Sequence, residues 1–146
     1  MSTTNVKQIS RLRLLVTLDG SSRDRAVLGE VVRLAASAPL EVTLLHVAHY
    51  HMRDERSFER ARSQAIVWQA YERLQLPGTV VHTLVCDGEV GQAIVAQAGA
   101  TKADLIVMAG HGHTPLRRVI ERSLPDWVRQ RSSVPVIVVQ SQRKTA

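Results

Sequence analysis

The chain has 146 residues, of which 45% are hydrophobic and 22% charged, so it holds enough apolar material for one globular core and is excluded from the disordered class. Sixteen arginines and three lysines stand against thirteen acidic residues, a net charge of +6 that favours anionic partners without choosing among them. With 3% aromatics there are few platforms on which bases could stack, which disfavours nucleic acid as the partner.

Residues 1–10 are polar and have no apolar stretch, so they read as a disordered N-terminal segment rather than a signal peptide. A domain is expected over residues 11–140, followed by a polar tail over 141–146. The apolar run Leu12 to Leu18 predicts a first strand. Ser22 to Ser37 then carries Val27, Leu28, Val31, Val32, Leu34 and Ala35 on one broad helical stripe. Val42 to Ala48 predicts a second strand. Asp54 to Leu74 predicts a second helix, with Phe58, Ala61, Ala65, Trp68 and Tyr71 recurring at three- and four-residue steps. A weaker strand is expected over Thr79 to Val85, a helix over Glu89 to Ala100 and a strand over Leu105 to Ala109. The last helix is predicted to follow Ser123, which can cap it, with Pro125 in its first turn and Leu124, Trp127 and Val128 inward. Pro135 is expected to open a final strand over Val134 to Val139.

Strands without strict alternation suit burial on both faces, and their alternation with helices predicts an α/β class: a single-domain open parallel five-stranded sheet with helices on both faces. Ligands of such sheets bind at the carboxyl ends of the strands, near the switch in strand order. That rule singles out Asp19 to Ser21, Val47 to His51, Cys86 to Gly88 and Ala109 to Ser123.

At those strand ends the sequence resembles the universal stress protein family. The matching segments are Leu14-Leu-Val-Thr-Leu-Asp-Gly-Ser21, Val42-Thr-Leu-Leu-His-Val47, Ala103-Asp-Leu-Ile-Val-Met108, Gly112, Leu116-Arg-Arg118, Ser123 and Val134-Pro-Val-Ile-Val-Val139. The resemblance runs from about residue 10 to 140. It implies a Rossmann-like fold of the adenine nucleotide alpha hydrolase type, and ATP or AMP held by a loop of the pattern G-x2-G-x9-G-[ST]. Glycines there let backbone N–H groups approach phosphate, and the hydroxyl adds a donor at a helix start. Laid on this chain, the pattern falls on Ala109, Gly112, Arg122 and Ser123, so two of its three glycines are replaced. The resemblance also places Thr17, Asp19, Val47, Met108, His111 and Leu124 around the ligand. Ala109 is a mild change if its φ is negative and a strained one if it is positive, and Gly110 beside it offers partial compensation. Arg122 either blocks the phosphate site or pairs with phosphate through its guanidinium fork; the sequence leaves both open.

Each of these residues has a plainer role available. Asp19 can cap or end the first strand–helix turn, Ser21 can cap the helix, and Ser123 caps the last helix whether or not it meets phosphate. His46 reads as a satisfied core or edge histidine. Arg53, Arg56, Arg60 and Arg62 read as an exposed helical face paired with Asp54, Glu55 and Glu59. Two H-x-H pairs, His49/His51 and His111/His113, follow strands on the ligand edge, but no acid or cysteine completes a metal site around them. Cys86 reads as a small buried hydrophobe, and as the single cysteine it fits a reducing, cytoplasmic setting without disulfides. No apolar run reaches the roughly 20 residues that cross a bilayer, so no membrane is expected.

The chain has no G-x-x-x-x-G-K-[ST] loop, no G-x-G-x-x-G after the first strand, no G-x-S-x-G elbow and no H-E-x-x-H, and nothing sets a nucleophile beside a base. Efficient catalysis is therefore not expected. The reading is a non-catalytic binding and regulatory module of the stress response with weakened or altered adenine-nucleotide binding. The alternative is a competent ATP- or AMP-binding stress protein with at most very slow hydrolysis. The resemblance implies a homodimer paired through Val134 to Val139, and an exposed Val-Ile-Val-Val edge would be an aggregation hazard unless covered. A further protein partner is expected, of a kind the sequence does not name.

Overall fold

The computed structural model describes residues 10–48, 56–110 and 123–140. Among them five strands and four helices follow one another: β1 Leu12–Leu18, α1 Asp24–Ala35, β2 Leu40–Ala48, α2 Arg56–Arg73, β3 Thr79–Asp87, α3 Val90–Ala100, β4 Leu105–Ala109, α4 Leu124–Arg131 and β5 Val136–Val139. Residues 1–9 and 141–146, expected to be a disordered segment and a tail, lie outside the described residues. All strand pairs are parallel, and the sheet order is β3-β2-β1-β4-β5. The chain builds outward from β1 on one side, then crosses back to continue from β1's other edge. The switch in strand order thus falls between β1 and β4.

Both faces of the sheet are covered, which is why β1 buries neighbouring residues instead of alternating. Leu14, Val16, Leu18, Val42 and Leu44 pack with Val27, Leu28 and Val31 of α1 and Ala70 and Leu74 of α2. On the opposite face Leu15, Leu45, Ile106 and Met108 pack with Ile94 and Ala98 of α3 and Val128 of α4.

Several expectations shift. Helix α1 starts at Asp24 rather than Ser22, because Ser21 to Arg23 are taken up by the preceding turn. Val32, placed on its buried stripe, is 43% exposed. Pro135 precedes β5 instead of opening it: its carbonyl accepts Ile106 N–H at 2.9 Å, and pairing of whole residues begins with Val136 opposite Ile106. The larger correction concerns α2. Ala61 and Ala65 are exposed and Trp68 is 55% exposed, stacked on Tyr71 at 5.2 Å between ring centroids. The buried stripe is Ser63, Val67, Ala70 and Leu74, with Ile66 and Tyr71 beside it. This face includes a serine with no exposed surface, so the apolar pattern alone sets the wrong rotation of the helix.

Helix α4 is fixed by an aromatic wedge. Trp127 lies so close to α3 that a Cβ added at Gly91 would meet its ring at 2.7 Å. Arg131 covers the ring from the other turn, 4.0 Å from its centroid. Gly29, in the middle of α1, has nothing within 4 Å of an added Cβ. The two helical glycines should therefore respond oppositely to alanine. Gly29→Ala should gain about 0.5–1 kcal/mol from helix propensity. Gly91→Ala should lose about 1–3 kcal/mol by overpacking against Trp127. Chemical denaturation of the two variants reads the sign directly.

Candidate functional site

A cleft of about 350 Å³ opens at the carboxyl ends of β1, β2 and β4, where the strand order reverses. It is lined by Thr17, Leu18 and Asp19 from β1 and its exit, Leu45, His46 and Val47 from β2, and Met108 and Ala109 from β4. Asp24 enters from α1, Glu59 and Arg62 from α2, Val90 and Ile94 from α3, and Leu124 from α4. Six of the expected site residues, Thr17, Asp19, Val47, Met108, Ala109 and Leu124, are thus brought together. Ser123 sits beside Leu124 as the cap of α4, its Oγ accepting Asp126 N–H at 3.4 Å and donating to Asp126 Oδ2 at 2.9 Å. His111, Gly112 and Arg122 lie outside the described residues, as do His49, His51, His113, Arg117 and Arg118.

The turn after β1 is tied together by carboxylates. Asp19 Oδ1 accepts Ser21 N–H at 2.8 Å and Oδ2 pairs with Arg23 Nη2 at 2.9 Å. Asp24 accepts Asp19 N–H at 3.0 Å and Gly20 N–H at 2.8 Å. Gly20 holds φ +80°, the left-handed region glycine favours, and lies against Ile66 of α2. Asp19 therefore performs the turn-stabilising role and lines the cleft as well, since each carboxylate oxygen keeps further lone pairs. Burial opposes its ionisation, but hydrogen bonds from Ser21 and Asp24 and the charge of Arg23 outweigh this and hold its carboxyl below the usual value. Asp24 goes the other way. Burial, helped by the neighbouring Asp19 charge and opposed by the two backbone N–H groups, pushes it up to about 6. The two neighbouring carboxyls thus move apart in acidity, Asp19 downward and Asp24 upward.

Among the described residues the only positive φ outside glycine is at Lys102, so Ala109 is unstrained and the milder of its two readings applies. Gly110 beside it is tied to β5, and the loop through which it would compensate lies outside the described residues. Its N–H donates to Val139 O at 2.9 Å, and a side chain there would strike Gln140.

Four polar lining residues escaped the sequence reading. Asp24 follows the turn in the chain, but Glu59, Arg62 and His46 converge only in three dimensions. Glu59 and Arg62, 4.0 Å apart, belong to the rim of the cleft as well as to the helix face expected for them. His46 corrects its expected role: it is only 8% exposed, and among the described residues its Nδ1 has no hydrogen-bond partner. Burial first and Arg62 second push its pKa down, against Asp19 and Glu59, so the ring is neutral. Cys86 is half-buried against the α3–α4 core, and burial together with Asp87 raises its thiol pKa, which keeps it protonated and inert. Among the described residues no three His, Cys, Asp or Glu side chains gather as a metal site, and no helix is long and apolar enough to cross a membrane.

A doubly wound parallel sheet with a ligand-sized cleft at its switch point defines a Rossmann-like α/β domain. The model of the universal stress protein family matches residues 11–140, and the chain belongs to that family. Universal stress protein YxiE of Bacillus subtilis is 26% identical over 145 residues, covering 88% of this chain and 98% of the relative. The fold is shared with a universal stress protein solved in complex with cAMP, at TM-score 0.74 and 20% identity, covering 90% of this chain and 98% of the other. It is shared also with a family member from Arabidopsis thaliana with AMP bound, at TM-score 0.66 and 17% identity, covering 90% and 92%.

The Asp24 shift has a measurable sign. A carboxyl whose folded value lies above its unfolded value adds stability that is complete below about pH 4 and is lost as pH rises through about 6. His46, shifted down from its ordinary value, acts in the opposite sense as pH falls, so the bare pH profile mixes the two. The difference in Tm between the native protein and Asp24→Asn isolates Asp24. That difference should move in favour of the native protein between pH 7.5 and pH 5, and a pH-independent difference would refute the shift.

Proposed function

We propose that this chain is a regulatory adenine-nucleotide-binding member of its family, acting in the cytoplasm through its ligand state or a protein partner rather than through turnover. The observation that carries the reading is the cleft at the β1–β4 switch. It joins apolar walls suited to a flat base (Val47, Met108, Val90, Ile94, Leu124) to hydrogen-bonding groups suited to a nucleoside (Thr17, Asp19). Its volume lies within the range of ligand sites, about 300–1,000 Å³, and His46 Nδ1, which has no partner among the described residues, is a polar atom that a ligand group would satisfy. The cAMP and AMP complexes of the related proteins support the same ligand class. The bound nucleotide would supply a phosphate charge near the α4 start, where the Ser123 hydroxyl would turn from Asp126 Oδ2 to donate to it. Asp126 also sits there but is partly neutralised by Arg129 at 3.5 Å.

Binding is weakened or altered in this reading because Arg122 stands where the family pattern has glycine and Ala109 where it has another. The unstrained backbone at Ala109 favours a second reading, a fully competent ATP or AMP site, with Arg122 pairing with phosphate. Denaturing the purified protein and resolving any released ATP, ADP or AMP tests both. An empty protein with no thermal shift in millimolar Mg-ATP or AMP refutes nucleotide binding altogether. The Ala109→Gly/Arg122→Gly double variant should gain affinity about tenfold or more if those positions weaken the site. A loss on Arg122→Gly alone would favour the phosphate-pairing reading.

We also propose a homodimer that pairs the β5 edges. β5 lies at the end of the sheet, with β4 as its neighbour, and presents Val136 to Val139 half-buried. Light scattering should give twice the 16.2 kDa chain mass. A chain ending at Ser133 should run as a monomer, and an unchanged mass would count against pairing through β5.

A further inference from the structure

Most of the described arginines are engaged within the chain: Arg13 with Glu41, Arg23 with Asp19, Arg33 with Glu30, Arg62 with Glu59 and Arg129 with Asp126. Arg25 and Arg73 have no partner among the described residues, and both line one groove. This groove, of about 270 Å³, lies between α1 and α2 on the face of the sheet that both helices cover. Each helix follows a parallel strand there, so the two run side by side in the same direction. Arg25, in the first turn of α1, and Arg73, at the end of α2, therefore stand toward opposite ends of the groove. Between them the floor is apolar, made of Leu28, Ile66 and Ala70. Arg25, Leu28 and Val32 recur at three- and four-residue steps and share one face of α1, which sets Val32, 43% exposed, on the groove side. Asp24 also touches the groove, but its carboxylate already accepts Asp19 and Gly20 N–H.

Two separated guanidinium groups about an apolar floor match two carboxylates about an apolar side chain. From Ile66 to Arg73 the helix rises about 10 Å, which an extended peptide spans in about three residues. The chain's own ends do not supply such a segment: residues 1–9 and 141–146 carry Lys7, Arg143 and Lys144 and no acidic residue. Nucleic acid fits less well, because no aromatic side chain among the described residues lines the groove to stack a base, and a phosphate backbone brings nothing for an apolar floor. We propose that the α1–α2 groove is a docking site for an acidic segment of a partner protein, which sets carboxylates on Arg25 and Arg73 and an apolar side chain between them, against Val32 and the floor. The site stands apart from the nucleotide reading, since neither arginine nor Val32 lines the cleft.

Fluorescence anisotropy of the full chain with a short labelled peptide of glutamates around a central leucine tests the groove. The peptide should bind, and Arg25→Glu and Arg73→Glu should each weaken it about tenfold, because attraction is replaced by repulsion. Arg60, also unpaired among the described residues, is exposed and lies outside the groove. Arg60→Glu makes the same change of charge and should leave the affinity within about twofold. Val32→Ser, and a peptide with serine in place of its leucine, should each weaken binding about threefold through lost apolar contact. If a charge reversal fails to fold, Arg25→Gln and Arg73→Gln carry the same comparison with Arg60→Gln. Equal weakening by the Arg60 variant, or indifference to the peptide's leucine, would reduce the groove to diffuse charge and overturn the proposal. Tighter binding of a DNA duplex, lost in the Arg25 and Arg73 variants, would overturn it in favour of nucleic acid. No binding at millimolar peptide would overturn it outright.

Discussion

The parallel pairing of β1 with β4, made after β2 and β3 have already been laid along β1's other edge, is the constraint on which the rest of the molecule depends. The reversal forces the connections leaving β1 and β4 to diverge to opposite faces of the sheet. A crevice must open where they part. Its floor is made of strand ends whose side chains are already committed to the two cores, such as Leu18 below one wall and Met108 below the other. The variable chemistry is left to the residues just beyond each strand and to the helices that return over them.

Within that crevice, burial and hydrogen bonding compete at the two aspartates. Asp19 and Asp24 are neighbours of the same chemical type, yet their acidities move apart. One collects side-chain and backbone donors and a guanidinium, while the other is penalised more by desolvation than its two backbone donors repay. His46 is kept neutral by its surroundings and is therefore usable as an acceptor, whereas a protonated imidazole beside Arg62 would not be. Among the described residues that line the cleft Arg62 is the one arginine, and the carboxylates of Asp19, Asp24 and Glu59 outnumber it.

Much of the architecture was legible because it rests on local pattern. Leu12–Leu18 and Leu105–Ala109 form strands with the expected bounds, since short runs of Val, Ile and Leu have few alternatives once both faces are covered. The cap at Ser123 was likewise readable, because hydroxyl, proline and aspartate signals coincide within four residues. The rotation of α2 was not. Ala61, Ala65 and Trp68 make a convincing stripe by identity, while the true inner stripe contains Ser63, whose burial no hydropathy pattern announces. The site divides in the same way. Residues at strand ends follow from topology alone. Glu59 and Arg62 do not, because no nearby residue in the chain says that the start of α2 returns over the exit of β1.

Trp127 carries a mechanical consequence. Seated on Gly91, it welds α4 to α3, and both helices contribute walls to the cleft, through Leu124 on one and Val90 and Ile94 on the other. These two helices make a single rigid jaw. The opposing wall is the start of α2, where Glu59 and Arg62 pair with each other at 4.0 Å, while its buried residues Ser63, Val67, Ala70 and Leu74 run along the other face of the helix. The apolar wall and the polar wall of the cleft thus belong to separately anchored parts of the molecule, one fixed by Trp127 on Gly91 and the other by the buried stripe of α2.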